Sequence, residues 1–147
     1  MLAELSARGE GVEKDDKQAL AWTKEAAEHG SRDALAELGL RHLEGRGLGK
    51  DEGAAMAYLR RAAKLHDGES AYRLGEAYIE GRGVSPDETQ AADWFQRAAL
   101  RDHARAAYRL ALMYQDGHGV EKNPELAALW YRAAARLGDP DAMQAVK

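Results

Sequence analysis

The sequence predicts an all-α fold, a solenoid of helix-turn-helix repeats. Three columns of residues carry that reading. A Gly-x-Gly pair stands at Gly9/Gly11, Gly45/Gly47, Gly81/Gly83 and Gly117/Gly119, at intervals of 36 residues. A large aromatic keeps the same interval as Trp22, Tyr58, Trp94 and Trp130. So do the alanine pairs 26–27, 62–63, 98–99 and 134–135. A fixed period without insertions means that each unit buries its apolar face against its neighbours rather than around one centre. The 147 residues divide into a partial repeat 1–30, full repeats 31–66, 67–102 and 103–138, and a partial repeat 139–147, together one solenoid domain.

Each repeat reads as two helices, A then B. In the middle unit Ala71, Leu74, Gly75 and Tyr78 fall at i, i+3, i+4 and i+7, which gathers them on one helical stripe. Gly81 ends helix A because a left-handed cap is open to a residue without a Cβ. Gly83 bends the chain again, and Val84 is placed to fold back over the pair. Helix B starts after Asp87, an N-cap with Gln90 three residues on to complete a capping box. Asn123-Pro124 marks the same point in the next unit, with proline at the first helical position. Ala91, Trp94, Phe95, Ala98 and Ala99 then form the apolar stripe, small residues admitting a close neighbour and Trp94 filling the space between repeats. The A helices restart at Ser31, Asp67, His103 and Asp139, of which all but histidine are favoured caps. These signals place helix A at 32–44, 68–80 and 104–116, and helix B at 16–29, 52–65, 88–101 and 124–137. The chain starts and stops inside helix A, which reads as a cut solenoid. End-to-end self-association through exposed terminal helices is the other expectation.

Composition narrows the function classes. The chain is 45% hydrophobic and 31% charged, as packed helices require, and its formal net charge of −4 lacks the basic footprint of phosphate-backbone binding. No nucleic-acid partner is expected on that ground. With no cysteine there is no disulfide framework, thiolate metal site or cysteine nucleophile. No apolar run approaches membrane-spanning length and the first residues lack a signal-peptide pattern. A cytoplasmic protein away from the membrane is the expectation for the chain as given; it lapses if the chain is a fragment of a longer exported protein.

The middle repeat, with Tyr72, Leu74, Gly75, Tyr78, Gly81, Gly83, Val84, Asp87, Ala91, Trp94, Ala98 and Ala99, resembles the Sel1-like repeat (SLR) family, relatives of the tetratricopeptide repeat. Ser70 stands where that pattern has alanine. The third repeat departs at Ala111 for glycine and Asn123 for aspartate; the first departs at Ala36, His42, Leu48 and Tyr58. The resemblance spans essentially the whole chain. It implies a right-handed superhelix whose A helices line a concave, partner-binding face, and an adaptor or assembly-scaffold role of a kind common in bacteria. The missing cysteines set the chain apart from the cysteine-rich relatives for which enzymatic activity has been suggested.

Residues that recur in every repeat are explained by packing of the repeat itself. Glu44, Glu80 and Asp116 recur before each glycine turn, where they oppose the helix dipole, and Arg46, Arg82 and His118 follow two residues later to offset them. Three copies of one arrangement argue for structure, since a catalytic carboxylate pair needs two distinct environments. Gly81-Arg82-Gly83 follows a helix and lacks the ending of a phosphate loop. His29, His42, His66, His103 and His118 show no i, i+4 pairing; His66-Asp67-x-Glu69 is the one ligand-like run, and His42 replaces a core tyrosine. Ser6, Ser31, Ser70 and Ser85 lack a nucleophile elbow. No catalytic residue, metal or cofactor is expected. Arg60, Arg61, Lys64, Arg97, Arg101, Arg132 and Arg136 lie on the B helices and are expected to face outward. That stripe supports the runner-up, an RNA-reading helical repeat, but Glu25 and Glu28 break it. A hydrolase-like enzyme is a third, weaker alternative.

The groove implied by the family carries the main expectation. With 71, 74, 75 and 78 in the core, the remaining A-helix columns read Ala36/Tyr72/Tyr108, Glu37/Arg73/Arg109, Leu40/Glu76/Leu112 and Leu43/Ile79/Gln115. They mix apolar, aromatic and arginine side chains, types enriched at binding hot spots, and they vary between repeats. Leu40, Tyr72, Arg73, Glu76, Ile79, Tyr108, Arg109 and Leu112 are therefore the candidate contacts for a peptide or partner protein. Tyr72 and Tyr108 have a competing explanation as packing between A helices.

Overall fold

The computed structural model describes residues 12–45 and 51–147, with side chains described from Lys17 onward. Leu2, Ser6, Gly9, Gly11, Arg46, Gly47 and Leu48 lie outside the described residues. Among those described there are eight helices and no strand: α1 (Val12–Glu28), α2 (Arg32–Glu44), α3 (Glu52–Lys64), α4 (Gly68–Glu80), α5 (Glu88–Ala99), α6 (Ala104–Asp116), α7 (Pro124–Arg136) and α8 (Pro140–Ala145). The even-numbered helices are A and the odd-numbered B. Helices α2, α4 and α6 have the expected bounds, α3, α5 and α7 stop one or two residues short, and α1 starts four residues early at Val12. Each helix packs chiefly on the next in sequence, within a repeat and between repeats, which is solenoid packing.

Both glycines of the turn are left-handed, for different reasons. Gly45, Gly81 and Gly117 cap the A helices at φ 76, 76 and 74°, and the Gly81 and Arg82 N–H groups both donate to the Ala77 carbonyl. Gly83 and Gly119, at φ 75 and 74°, bring the turn onto the preceding repeat. A Cβ on Gly83 would lie 2.4 Å from the Glu52 carbonyl oxygen, and one on Gly119 would lie 2.2 Å from that of Glu88. The second glycine is thus a repeat-to-repeat contact as well as a bend. Val84 and Val120 pack beside it against the core.

All four A-helix caps form, His103 included: its Nδ1 accepts the Ala106 N–H at 3.1 Å, so histidine does the work of the usual Ser or Asp. The capping box at Asp87 and Gln90 does not close. The Asp87 carboxylate accepts from the Thr89 and Gln90 N–H groups, but the Asp87 N–H donates to the Tyr78 carbonyl at 3.0 Å, leaving Gln90 nothing to bond. Asp51 and Asn123 repeat that tie to the His42 and Tyr114 carbonyls at 3.0 and 2.9 Å, fixing each B helix to its own A helix.

The core runs along the solenoid through Met56, Leu59, Leu74, Phe95 and Leu110, all fully buried. Gly75 makes room for Phe95: a Cβ there would come within 2.6 Å of the ring. Gly39 does the same for Leu59. The third repeat has Ala111 instead, and Tyr131, one period after Phe95, is only half-buried, its hydroxyl bonded to Gln115. The aromatic column likewise differs in role, Trp94 being 7% exposed and Trp22 64%. His42 is half-buried and stacked on Tyr58 at 5.6 Å, the packing role expected of it. Among the described residues no helix is long and apolar enough to cross a membrane.

Candidate interaction face

All eight candidate contacts lie on α2, α4 and α6, because a 36-residue period returns each column to the same turn of successive A helices. The structure sorts them into three groups. Tyr72 belongs to the core. It is 9% exposed, stacked on the His103 ring at 4.4 Å and tilted against Phe95 at 5.7 Å, so it joins two repeats rather than presenting a ring to a partner. Its burial, and then the neighbouring Glu76 carboxylate, raise its phenol pKa.

Leu40, Ile79, Tyr108 and Leu112 are half-buried, with Ile79 and Tyr108 seated against the core and an edge left for contact. Tyr108 is held between the Arg105 guanidinium, 4.7 Å above its ring, and the Tyr131 ring at 5.8 Å. Desolvation raises the Tyr131 hydroxyl pKa, with Tyr108 and Asp116 adding to it.

The charged candidates separate by their partners. Arg73 lies 2.9 Å from Glu69 and 3.5 Å from Glu76, so two of the candidate contacts, Arg73 and Glu76, pair with each other. The contact with Glu69 is an ion pair, the Arg73 Nε–H pointing off the line to the carboxylate. Arg109 instead lays its guanidinium over the Phe95 ring at 5.2 Å.

Sequence reasoning missed a set of polar links between the starts of successive A helices. His103 Nε2 is 2.6 Å from Glu69 Oε2. Because Nδ1 accepts the capping bond, the proton of the neutral ring sits on Nε2 and is donated to Glu69. That bond is the largest cause of a lowered Glu69 pKa; burial opposes it and Arg73 reinforces it. One repeat later Arg105 reaches Asp139 at 3.2 Å and Asp141 at 2.6 Å, which holds its own pKa above the ordinary arginine value. The signal lay in the columns: Glu69 becomes Arg105 just where the next cap changes from His103 to Asp139.

Other expectations resolve similarly. The His66-Asp67-x-Glu69 run disperses, since His66 meets Arg101 at 2.6 Å, Asp67 caps α4 and Glu69 turns to His103. Arg82 lies 3.9 Å from Glu80 but closer, at 3.4 Å, to Glu52 of the preceding repeat; His118 likewise faces Glu88 at 3.6 Å. These basic residues tie turn to neighbour more than they offset their own helix end. Arg60 is turned inward, donating to the Tyr78 hydroxyl at 2.9 Å, whereas the other six of those cations are exposed as expected, Arg101 from the turn after α5. A cleft of about 320 Å³ bordered by Lys64, His66, Leu100 and Arg101 lies at the B-to-A turns, away from the eight candidates.

The Sel1 repeat model matches residues 1–31, 32–67, 68–103 and 104–139. The chain belongs to the Sel1 repeat family. A Sel1 repeat protein from Oxalobacter formigenes is 37% identical in its crystal structure, with a TM-score of 0.81 over 86% of this chain and 96% of that one. The SLR-fold protective antigen c5321 of uropathogenic Escherichia coli is 35% identical, with a TM-score of 0.83 over 96% of this chain but 30% of its own. Cysteine-rich protein B of Helicobacter pylori is 26% identical, with a TM-score of 0.72 over 92% of this chain and 98% of its own. No curated protein matches the chain. Sel1 repeat proteins are helical scaffolds that generally mediate protein interactions.

Proposed function

We propose that this Sel1 repeat chain is a non-catalytic interaction module, an adaptor whose A-helix face takes a peptide or a partner protein as the concave side of the solenoid. One observation carries the reading. On a frame whose glycines, caps and alanines repeat unit by unit, two A-helix columns, Leu40/Glu76/Leu112 and Leu43/Ile79/Gln115, change type between repeats while every member stays accessible. Packing alone favours repetition there; selection for a particular partner favours change. Affinity comes from covering those apolar edges on a preformed surface, and discrimination from the charges between them.

The test is affinity capture from source-cell lysate with wild type beside Leu40→Ser/Leu112→Ser, circular dichroism confirming that the variant keeps its helices. Both side chains retain exposed surface, so the fold tolerates the change. A partner held by wild type and lost by the variant supports the reading. Equal retention removes the A-helix face as the binding surface.

A further inference from the structure

We infer that Arg109 is the receptor for a carboxylate on the partner, so that the A-helix face selects a segment with an acidic group beside an apolar side chain; this rests on the reading of that face as the binding surface. Five arginines are described on the A helices. Arg32 meets Asp33 at 3.7 Å, Arg41 meets Glu37 at 2.9 Å, Arg73 meets Glu69 and Glu76, and Arg105 meets Asp139 and Asp141. Arg109 alone among them has no ion pair among the described residues, although it shares a column with Arg73.

The reason is local. Arg73 is held by the residues four before it and three after it, Glu69 and Glu76. The same offsets from Arg109 are Arg105 and Leu112, so α6 has lost both acids and gained a second cation and an apolar side chain. Arg105 is already bound to Asp139 and Asp141. Glu76, across on α4, is engaged by Arg73 and makes no ion pair with Arg109. Two like-charged side chains one turn apart destabilise a helix, and α6 accepts that arrangement with no acid among the described residues answering Arg109.

Geometry suits the role. The guanidinium rests on the Phe95 ring at 5.2 Å, and Phe95 is fully buried and fixed by Gly75. Among the described residues no acceptor takes the Arg109 N–H groups, which suits them to a two-point bond to a carboxylate, and contact with the ring lowers the ordering cost of the side chain. Leu112, half-buried one turn along the same face, offers the adjacent apolar contact.

The experiment is selection of random linear peptides on wild type from a display library, followed by binding measurements on synthetic copies of the enriched sequences. The expected result is Asp, Glu or a free C-terminus enriched at fixed spacing from an apolar residue. Binding should weaken by about tenfold or more in Arg109→Gln, as for loss of a charged hydrogen bond, and less in Arg109→Lys, which keeps the charge. Replacing the peptide acid by its amide should cost wild type the same factor and cost Arg109→Gln almost nothing. Loss on side-chain amidation identifies an Asp or Glu; loss on C-terminal amidation identifies a chain end. Enriched peptides without an acidic group, or with equal affinity for Arg109→Gln, overturn the carboxylate inference. If Leu40→Ser/Leu112→Ser also binds them undiminished, or wild type enriches none, the binding-face reading falls with it.

Discussion

Replacing Gly119 with alanine separates what a glycine turn does for the backbone from what it does for the solenoid. Gly119 and Gly138 are both left-handed, at φ 74 and 99°, so alanine strains each by about 1–2 kcal/mol. Their surroundings differ. A Cβ on Gly138 meets nothing within 4 Å, while one on Gly119 would sit 2.2 Å from the Glu88 carbonyl oxygen and 2.9 Å from Met113 Cε. Backbone cannot step aside as a flexible side chain can, so relief requires the turn after α6 to lift off the start of α5. Overpacking of that kind adds about 1–3 kcal/mol. Gly119→Ala is therefore expected to lose about 2–5 kcal/mol and Gly138→Ala only the backbone part. Urea unfolding followed by far-UV circular dichroism measures both. Equal losses would refute the assignment of the second glycine as a contact between repeats.

Gly75→Ala should cost about 1–3 kcal/mol, since its Cβ would enter the Phe95 ring, and combination with Phe95→Ala should be markedly less than additive; thermal unfolding of the three variants checks it. Glu69 has a lowered folded-state pKa, chiefly from its bond to His103, so its stabilising contribution is present above the ordinary glutamate range and is lost as pH falls through the folded value. The melting-temperature difference between wild type and Glu69→Gln should accordingly shrink on acidification; a difference that stays flat counts against the bond. Asp139→Ala removes both the α8 cap and the Arg105 partner and should cost about 1–2 kcal/mol, read as faster amide exchange in α8 with the α2–α5 amides unchanged.

The period made most of the fold readable before any coordinates. Glycine and cap columns set three A helices to the residue, because caps and left-handed turns are local chemistry. What stayed hidden depends on where a side chain can reach. The open capping box at Asp87 could not be read from spacing, since the competing acceptor is a carbonyl on the previous helix. Tyr72 and Tyr108 occupy one column, yet one is enclosed by His103 and Phe95 while the other keeps an open edge. Tyr131, one period after Phe95 and larger by a hydroxyl, belongs to a repeat that has Ala111 in place of the glycine, and it lies half-buried beside Tyr108. Burial within a column follows the neighbours, which one repeat's pattern does not contain.

That same dependence on neighbours makes the repeats each other's control. Arg73 and Arg109 are the same residue at the same turn of equivalent helices, so backbone, column and side-chain type cannot explain why one is paired and the other is not. The difference lies in the flanking acids, present as Glu69 and Glu76 in α4 and replaced by Arg105 and Leu112 in α6. Reintroducing them tests the point directly. Leu112→Glu places a carboxylate three residues after Arg109, as Glu76 stands to Arg73, and should stabilise α6 slightly, by about 0.2–0.5 kcal/mol. It should also weaken acidic peptides by occupying the guanidinium and repelling their charge. A variant that gains helix stability and still binds those peptides fully would show that an unpaired Arg109 is a vacancy of sequence drift, not a site.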